Sequence, residues 1–221
     1  MILDARTASD LVDAFAAGIV GLGVYIAVTR SLGRMIWVTA LQSMFVGAAA
    51  VVVAAATGIE HLAVGGVLAL AVKGIVVPLV LGSILRQSSV RQERRPIVPP
   101  RVSFLLAVAI VFVATSATHG AGLGSTLGAT RALPAAIATV LTGLLIVMTR
   151  RKTLSLVVGL LVFENGIALA AFSLVYAMPL VVELGVLFDV LIVVVVAWVY
   201  ARRMLDVFGT LSTDELRNLR G

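Results

Sequence analysis

The stretch RRKTLSLVVGLLVFENGIALAAFSLVY, residues 150–176, indicates most clearly how this chain folds. Three cations precede about 24 mostly apolar residues, a length that crosses a bilayer as a helix. The span carries one acid, Glu164, near its middle. Because a carboxylate at the bilayer centre costs about 3 kcal/mol or more, it must be offset by a partner or be protonated for part of the time. Glu164 is therefore a candidate functional residue.

The composition of the whole chain indicates an integral membrane protein. Of 221 residues, 61% are hydrophobic and 13% are charged, and the mean hydropathy is +1.13. The net charge of +6 lies mainly in short loops between apolar segments, so it reports membrane topology and not a nucleic-acid partner. With no cysteine and two histidines, the chain is predicted to bind no iron–sulfur cluster, haem, metal or other cofactor. The N-terminus has no basic region or cleavage site, and no cleaved signal peptide is expected.

The order of apolar segments predicts one all-α, polytopic transmembrane domain over residues 1–221, with seven spans. Residues 11–149 hold the first five helices, residues 150–203 hold the acid-bearing sixth and seventh, and residues 204–221 form a tail. Cations follow the odd-numbered spans, so the positive-inside rule predicts an external N-terminus and a cytoplasmic C-terminus. The predicted spans are residues 11–29, 35–57, 62–85, 102–118, 132–149, 153–176 and 179–203.

The third span carries a lysine, Lys73, in the sequence AVKGIVVPLVL. A lysine at this depth is costly in the same way as Glu164. Pro78 has no N–H to donate to the carbonyl of Gly74, so we expect a kink and a hydrated site beside the amine. A static pair between Lys73 and a carboxylate is the alternative interpretation.

Other polar residues have simpler interpretations. Gln42, inside the second span, is predicted to form an interhelical hydrogen bond. Asp13 is predicted to cap the start of the first span at the membrane interface. The uncharged span at residues 102–118 is expected to face lipid.

The positions of four ionisable groups along the predicted helices give their depths in the membrane. At 1.5 Å per residue, Lys73, Glu164 and Asp189 lie roughly 16, 17 and 15 Å into the membrane, whereas Glu183 lies roughly 6 Å from the outer face. Three such groups at one depth can offset one another if their helices touch. The excess of acid over base favours a proton relay, in which each charge affects the protonation of its neighbours.

The sequence resembles the hydrogenase 4 component E family in four pieces that occur in the same order. These pieces are KGIVVPLVL around Lys73, FENGIAL around Glu164, PLVVELGVLFD around Glu183 and Asp189, and the tail GTLSTDELRNLRG. The last part of that family is similar to the K subunit of respiratory complex I and to the C subunit of multisubunit cation/proton antiporters. The corresponding features here are Arg150, Arg151, Gly159, Glu164, Asn165 and Glu183. Glu164 lies about one helical turn further from the glycine than the acid of the K subunit does.

The resemblance implies a non-redox subunit of a membrane-bound nickel–iron hydrogenase or formate hydrogenlyase-type complex, in a bacterial or archaeal cytoplasmic membrane. It implies antiporter-like membrane subunits and hydrogenase and iron–sulfur peripheral subunits as partners. Glu164, Lys73, Asp189 and Glu183 would then form a proton relay. The alternatives are a subunit of a cation/proton antiporter and a purely structural membrane anchor. No nucleophile–base pair or phosphate-binding loop suggests an enzyme activity of the chain itself.

Overall fold

A computed structural model describes residues 4–87, 92, 96–120 and 131–174 of the chain. This part is all-helical, apart from a single β-bridge between Ser31 and Gln92. Six helical segments in it are long and apolar enough to cross a membrane. The elements are α1 (Ala5–Val28), α2 (Leu32–Thr57), α3 (Glu60–Ala71), a π-helical turn (Val72–Val76), α4 (Val77–Gln87), α5 (Pro100–Gly120), α6 (Ala132–Thr149) and α7 (Thr153–Leu174).

The third span is continuous but changes its helical geometry at mid-length. α3, the π-helical turn and α4 follow one another without a break, and the turn ends just before Pro78. Within it, the N–H of Val77 donates to the carbonyl of Val72, five residues earlier. Because proline clashes with the carbonyl four residues before it, a widened turn at this point accommodates the ring. The structure thus has a π-helical turn just before Pro78, and the kink and the hydrated site expected there stay predictions.

Glycines bring α6 and α7 into backbone contact. A side chain at Gly143 of α6 would collide with the backbone of Phe163 on α7. In the other direction, a Cβ at Gly166 would lie 2.5 Å from the backbone nitrogen of Val140, and one at Gly159 would lie 3.0 Å from that of Val147. Small residues allow this approach, which is typical of helix pairs in membranes. The packing fixes the position of α7, the helix that carries Glu164.

The core lies where α2 meets α1, α7 and the third span. Its fully buried apolar side chains come from all of these elements and from α6, and they include Ile26, Met35, Leu81, Ile146 and Val162. α5 lies at the periphery, and most of its large apolar side chains are exposed on the bundle surface. This agrees with the expectation that the uncharged fourth span faces lipid.

The first helix begins earlier than predicted, and Asp13 does not cap it. α1 starts at Ala5, and its N-cap residue, Asp4, makes no side-chain capping bond. Asp13 lies two turns into α1, where its Oδ1 accepts a hydrogen bond of 2.9 Å from the backbone N–H of Arg131, the N-cap residue of α6. The prediction was wrong because the polar residues 5–10 belong to the helix although they do not resemble a membrane span. Asp13 thus satisfies one orphan donor at the start of another helix.

Part of the predicted architecture falls outside the described residues. The seventh span at residues 179–203, with Glu183 and Asp189, and the tail at residues 204–221 all lie there. The described part accordingly contains the first six predicted spans.

Candidate functional site

Lys73 and Glu164 form an ion pair inside the helix bundle. The Nζ atom of Lys73, on the π-helical turn, lies 2.7 Å from Oε1 of Glu164 on α7. Only 7% of Lys73 and 5% of Glu164 are exposed. The structure therefore brings together two of the four ionisable residues that the sequence singled out.

The local fold of the third span places the lysine in the bundle. A side chain at Gly74, the residue after Lys73, would come within 2.9 Å of Met44 on α2. The glycine therefore lets the π-helical turn approach α2 closely, and both Lys73 and Gly74 are buried there. π-Helical turns of this kind occur frequently at functional positions in helices.

A buried hydrogen-bond network adjoins Glu164 in the sequence and joins three helices. The Nδ2 of Asn165 donates to Oε1 of Gln42 at 3.2 Å and to Oγ of Ser43 at 3.0 Å. The Nε2 of Gln42 in turn donates to the backbone carbonyl of Ile19, on α1, at 2.9 Å. Asn165, Gln42 and Ser43 are at most 2% exposed. The interhelical hydrogen bond predicted for Gln42 is therefore confirmed, and it connects α2 with both α1 and α7.

Sequence reasoning missed two hydroxyl residues of α2, Thr39 and Ser43. With Gln42 they are spaced three and four residues apart, which places all three on one face of a helix. All three are buried. This spacing is the signal that would have identified a polar face inside an otherwise apolar span.

An arginine is also buried at one end of the bundle. Arg150, which directly follows α6, is 4% exposed, and its Nη2 donates to the backbone carbonyl of Ala27 at 2.5 Å. Ala27 lies in the last turn of α1, where carbonyl groups lack partners within the helix. A cation at this position also interacts favourably with the helix dipole.

The chemistry available to this arrangement is proton transfer between two buried groups. At 2.7 Å, Nζ of Lys73 and Oε1 of Glu164 form a close ion pair, and a proton can pass between groups this near to each other. In the described ranges, no group of three or more His, Asp and Glu side chains is placed to hold a metal ion. A multi-pass membrane protein with a buried ion pair between two of its candidate membrane-spanning segments is the class that the fold and this site define.

Sequence comparison shows which known proteins this chain is similar to. The chain is 34% identical to the uncharacterized protein Rv0085 of Mycobacterium tuberculosis over 218 residues, which cover 96% of this chain and 97% of the relative. It is 28% identical to hydrogenase-4 component E of Escherichia coli over 162 residues, 73% of this chain and 75% of the relative. The chain therefore belongs to the same family as the mycobacterial protein and is a distant homologue of hydrogenase-4 component E. No family model and no solved structure matches it.

Proposed function

We propose that this chain is a non-redox membrane subunit of a membrane-bound hydrogenase complex, and that its Lys73–Glu164 pair takes part in proton translocation. The observation that carries the proposal is the contact of 2.7 Å between these two buried side chains on different helices. The distant homology to hydrogenase-4 component E supports the kind of complex.

The cost of burying charge favours a functional role for the pair. A buried ion pair contributes little to stability compared with apolar side chains of the same size, because both ions lose their hydration. Ionisable residues inside a membrane mostly mark ion pathways and proton relays. The pair also lies on a π-helical turn, a feature that recurs at functional sites.

The proposal extends to the parts of the chain outside the described residues. Asp189 and Glu183, on a seventh span, would continue the relay from Glu164 toward the outer face. The N-terminus would then lie outside and the C-terminus in the cytoplasm of a bacterium or archaeon. Antiporter-like membrane subunits would lie beside this chain in the membrane and respond to changes in the charges of the relay. Hydrogenase and iron–sulfur subunits would carry out the redox chemistry.

A structural anchor is the second candidate, and one observation favours it. In the described part of the chain, one base, Lys73, faces one acid, Glu164, inside the bundle, which is what a static interhelical pair requires. In that case the pair would only hold the third span against α7. An antiporter subunit is a third possibility that shares the relay but lacks the redox partners.

The test is proton movement by the assembled complex in membrane vesicles. Glu164→Gln is expected to abolish hydrogen-driven proton movement while leaving hydrogen oxidation with an artificial dye intact, because the dye reaction does not need the membrane relay. Glu60→Gln is the matched control, since Glu60 is an exposed acid at the start of α3. Unchanged proton movement in Glu164→Gln would refute the relay.

A second variant distinguishes the proton-relay role of the pair from the structural-anchor role. Replacing both members of the pair, as Lys73→Met with Glu164→Gln, removes the charges together. The anchor predicts normal assembly and normal proton movement in this double variant, whereas the relay predicts normal assembly without proton movement. Copurified subunits, identified by mass spectrometry, distinguish a hydrogenase complex from an antiporter.

A further inference from the structure

A small cavity lies beside Lys73, in the interior of the bundle. It is lined by residues of α2, the third span and Leu161 of α7, and every lining residue is buried. Its volume is about 10 Å³, measured as the space open to the centre of a water molecule. A space of about this size is near the smallest that holds one water.

The wall of this cavity is polar on the side of α2. Thr39, Ser43 and Lys73 all contribute to it. Thr39 is 3% exposed, and its hydroxyl oxygen has no hydrogen-bond partner among the described residues. A buried hydroxyl without a partner costs about 1–3 kcal/mol, so its position on a cavity wall needs a physical explanation.

Two buried threonines of α6 show how Thr39 differs. Thr139 and Thr142, also buried in a membrane-spanning helix, each donate to the carbonyl four residues earlier at 2.7 Å. Thr39 makes no such bond, although the same carbonyl position exists in α2. Its hydroxyl is thus available to a molecule in the cavity.

We infer that the cavity binds one ordered water molecule, which Thr39 positions against Lys73. Buried waters usually make two to four hydrogen bonds, and the Thr39 hydroxyl, the Ser43 hydroxyl and the Lys73 amine provide that number of partners. This inference rests on the proposed relay and adds to it a positioning residue that the pattern of charges does not reveal.

The water completes the hydrogen bonding of the lysine in both protonation states. When a proton passes from Nζ of Lys73 to Oε1 of Glu164, one N–H bond breaks, one O–H bond forms, and both groups become neutral. Nζ changes from a donor of three hydrogen bonds to an amine with a free electron pair. A water held by a hydroxyl can turn from accepting a bond from the ammonium to donating one to the amine, whereas an apolar wall cannot.

The first measurement is the occupancy of the cavity. A cryo-electron microscopy map of the assembled wild-type complex, at a resolution that shows ordered waters, is expected to show a peak within hydrogen-bond distance of Thr39 Oγ1 and Lys73 Nζ. The same map of Thr39→Val, which keeps the shape and removes the hydroxyl, is expected to lack it. An empty cavity in the wild type, or a peak that persists in Thr39→Val, would overturn the inference.

The second measurement is the rate of proton movement in the same vesicles. Losing one hydrogen bond to the water is expected to slow proton movement about tenfold in Thr39→Val. Thr39→Ser should restore the rate, and Thr142→Val, which removes an internally bonded hydroxyl, should leave it unchanged. A wild-type rate in Thr39→Val would refute the positioning role. A failure of the water inference can be distinguished from a failure of the relay. An empty cavity refutes the water alone, whereas normal proton movement in Glu164→Gln refutes the relay.

Discussion

Removing one member of the Lys73–Glu164 pair is expected to destabilise the bundle far more than removing both. The three variants are Lys73→Met, Glu164→Gln and the double replacement, all of nearly constant side-chain volume. Each single replacement leaves one ionisable group buried opposite a neutral side chain, because both residues are more than nine-tenths buried. The double replacement leaves no ionisable group at either of the two positions.

The distance and burial of the pair set the size of the effect. At 2.7 Å and an effective dielectric constant of about 20, the attraction between two unit charges is about 6 kcal/mol. Burying each ion costs several kcal/mol, so the intact pair contributes little net stability. A single replacement leaves the remaining ion buried without the partner that offset this cost. Each single variant should therefore lose about 3–5 kcal/mol, and the double variant should stay within about 1 kcal/mol of wild type.

The assay is reversible unfolding of the purified chain in mixed micelles, titrated with a denaturing detergent and followed by circular dichroism. The four proteins form a double-mutant cycle, whose coupling energy should be several kcal/mol. Glu60→Gln, at an exposed acid, should change the free energy of unfolding by less than about 0.5 kcal/mol. A double variant that loses as much stability as the two single variants together would contradict the predicted coupling between Lys73 and Glu164.

Three further replacements test the packing around the site, each by the same unfolding measurement. Asn165→Leu should cost about 1–3 kcal/mol, because it leaves two buried polar groups of α2 without their partner. Gly143→Ala should cost about 1–3 kcal/mol through the clash with α7, whereas Gly21→Ala, where nothing lies within 4 Å, should be neutral or stabilising. Arg150→Met should cost about 1.5–3 kcal/mol by removing its bond to the last turn of α1, whereas the exposed neighbour Arg151→Met should change stability by less than about 0.5 kcal/mol. Equal effects in a variant and its control would contradict the packing argument.

Much of the fold follows from the sequence because membrane helices have a fixed rise and a required length. The apolar segments predicted the six described spans, and the rise of 1.5 Å per residue put Lys73 and Glu164 at nearly the same depth. Depth alone does not say which helices touch. The contact of 2.7 Å depends on how the third span and α7 pack against α2, and no residue pattern in the sequence encodes that arrangement directly.

The details that the sequence did not predict depend on interactions between distant segments. The polar turns at residues 5–10 continue α1 beyond any hydropathy signal. Asp13 accepts from Arg131, 118 residues away, so its role could not be read from its own helix. The spacing of Thr39 places it on a polar face of α2, but that spacing does not reveal the cavity beside its hydroxyl.

The polar face of α2 explains why Lys73 and Glu164, both of which are costly to bury, face each other. Successive residues of a helix are about 100° apart, so Glu164 and Asn165 necessarily face different neighbours. Asn165 is held by two side chains of α2, and this contact fixes the rotation of α7 about its axis. With that rotation fixed, Glu164 faces the π-helical turn, where Gly74 allows the third span close enough for Lys73 to reach it. The uncharged amide next to the acid thus helps to orient Glu164 toward Lys73.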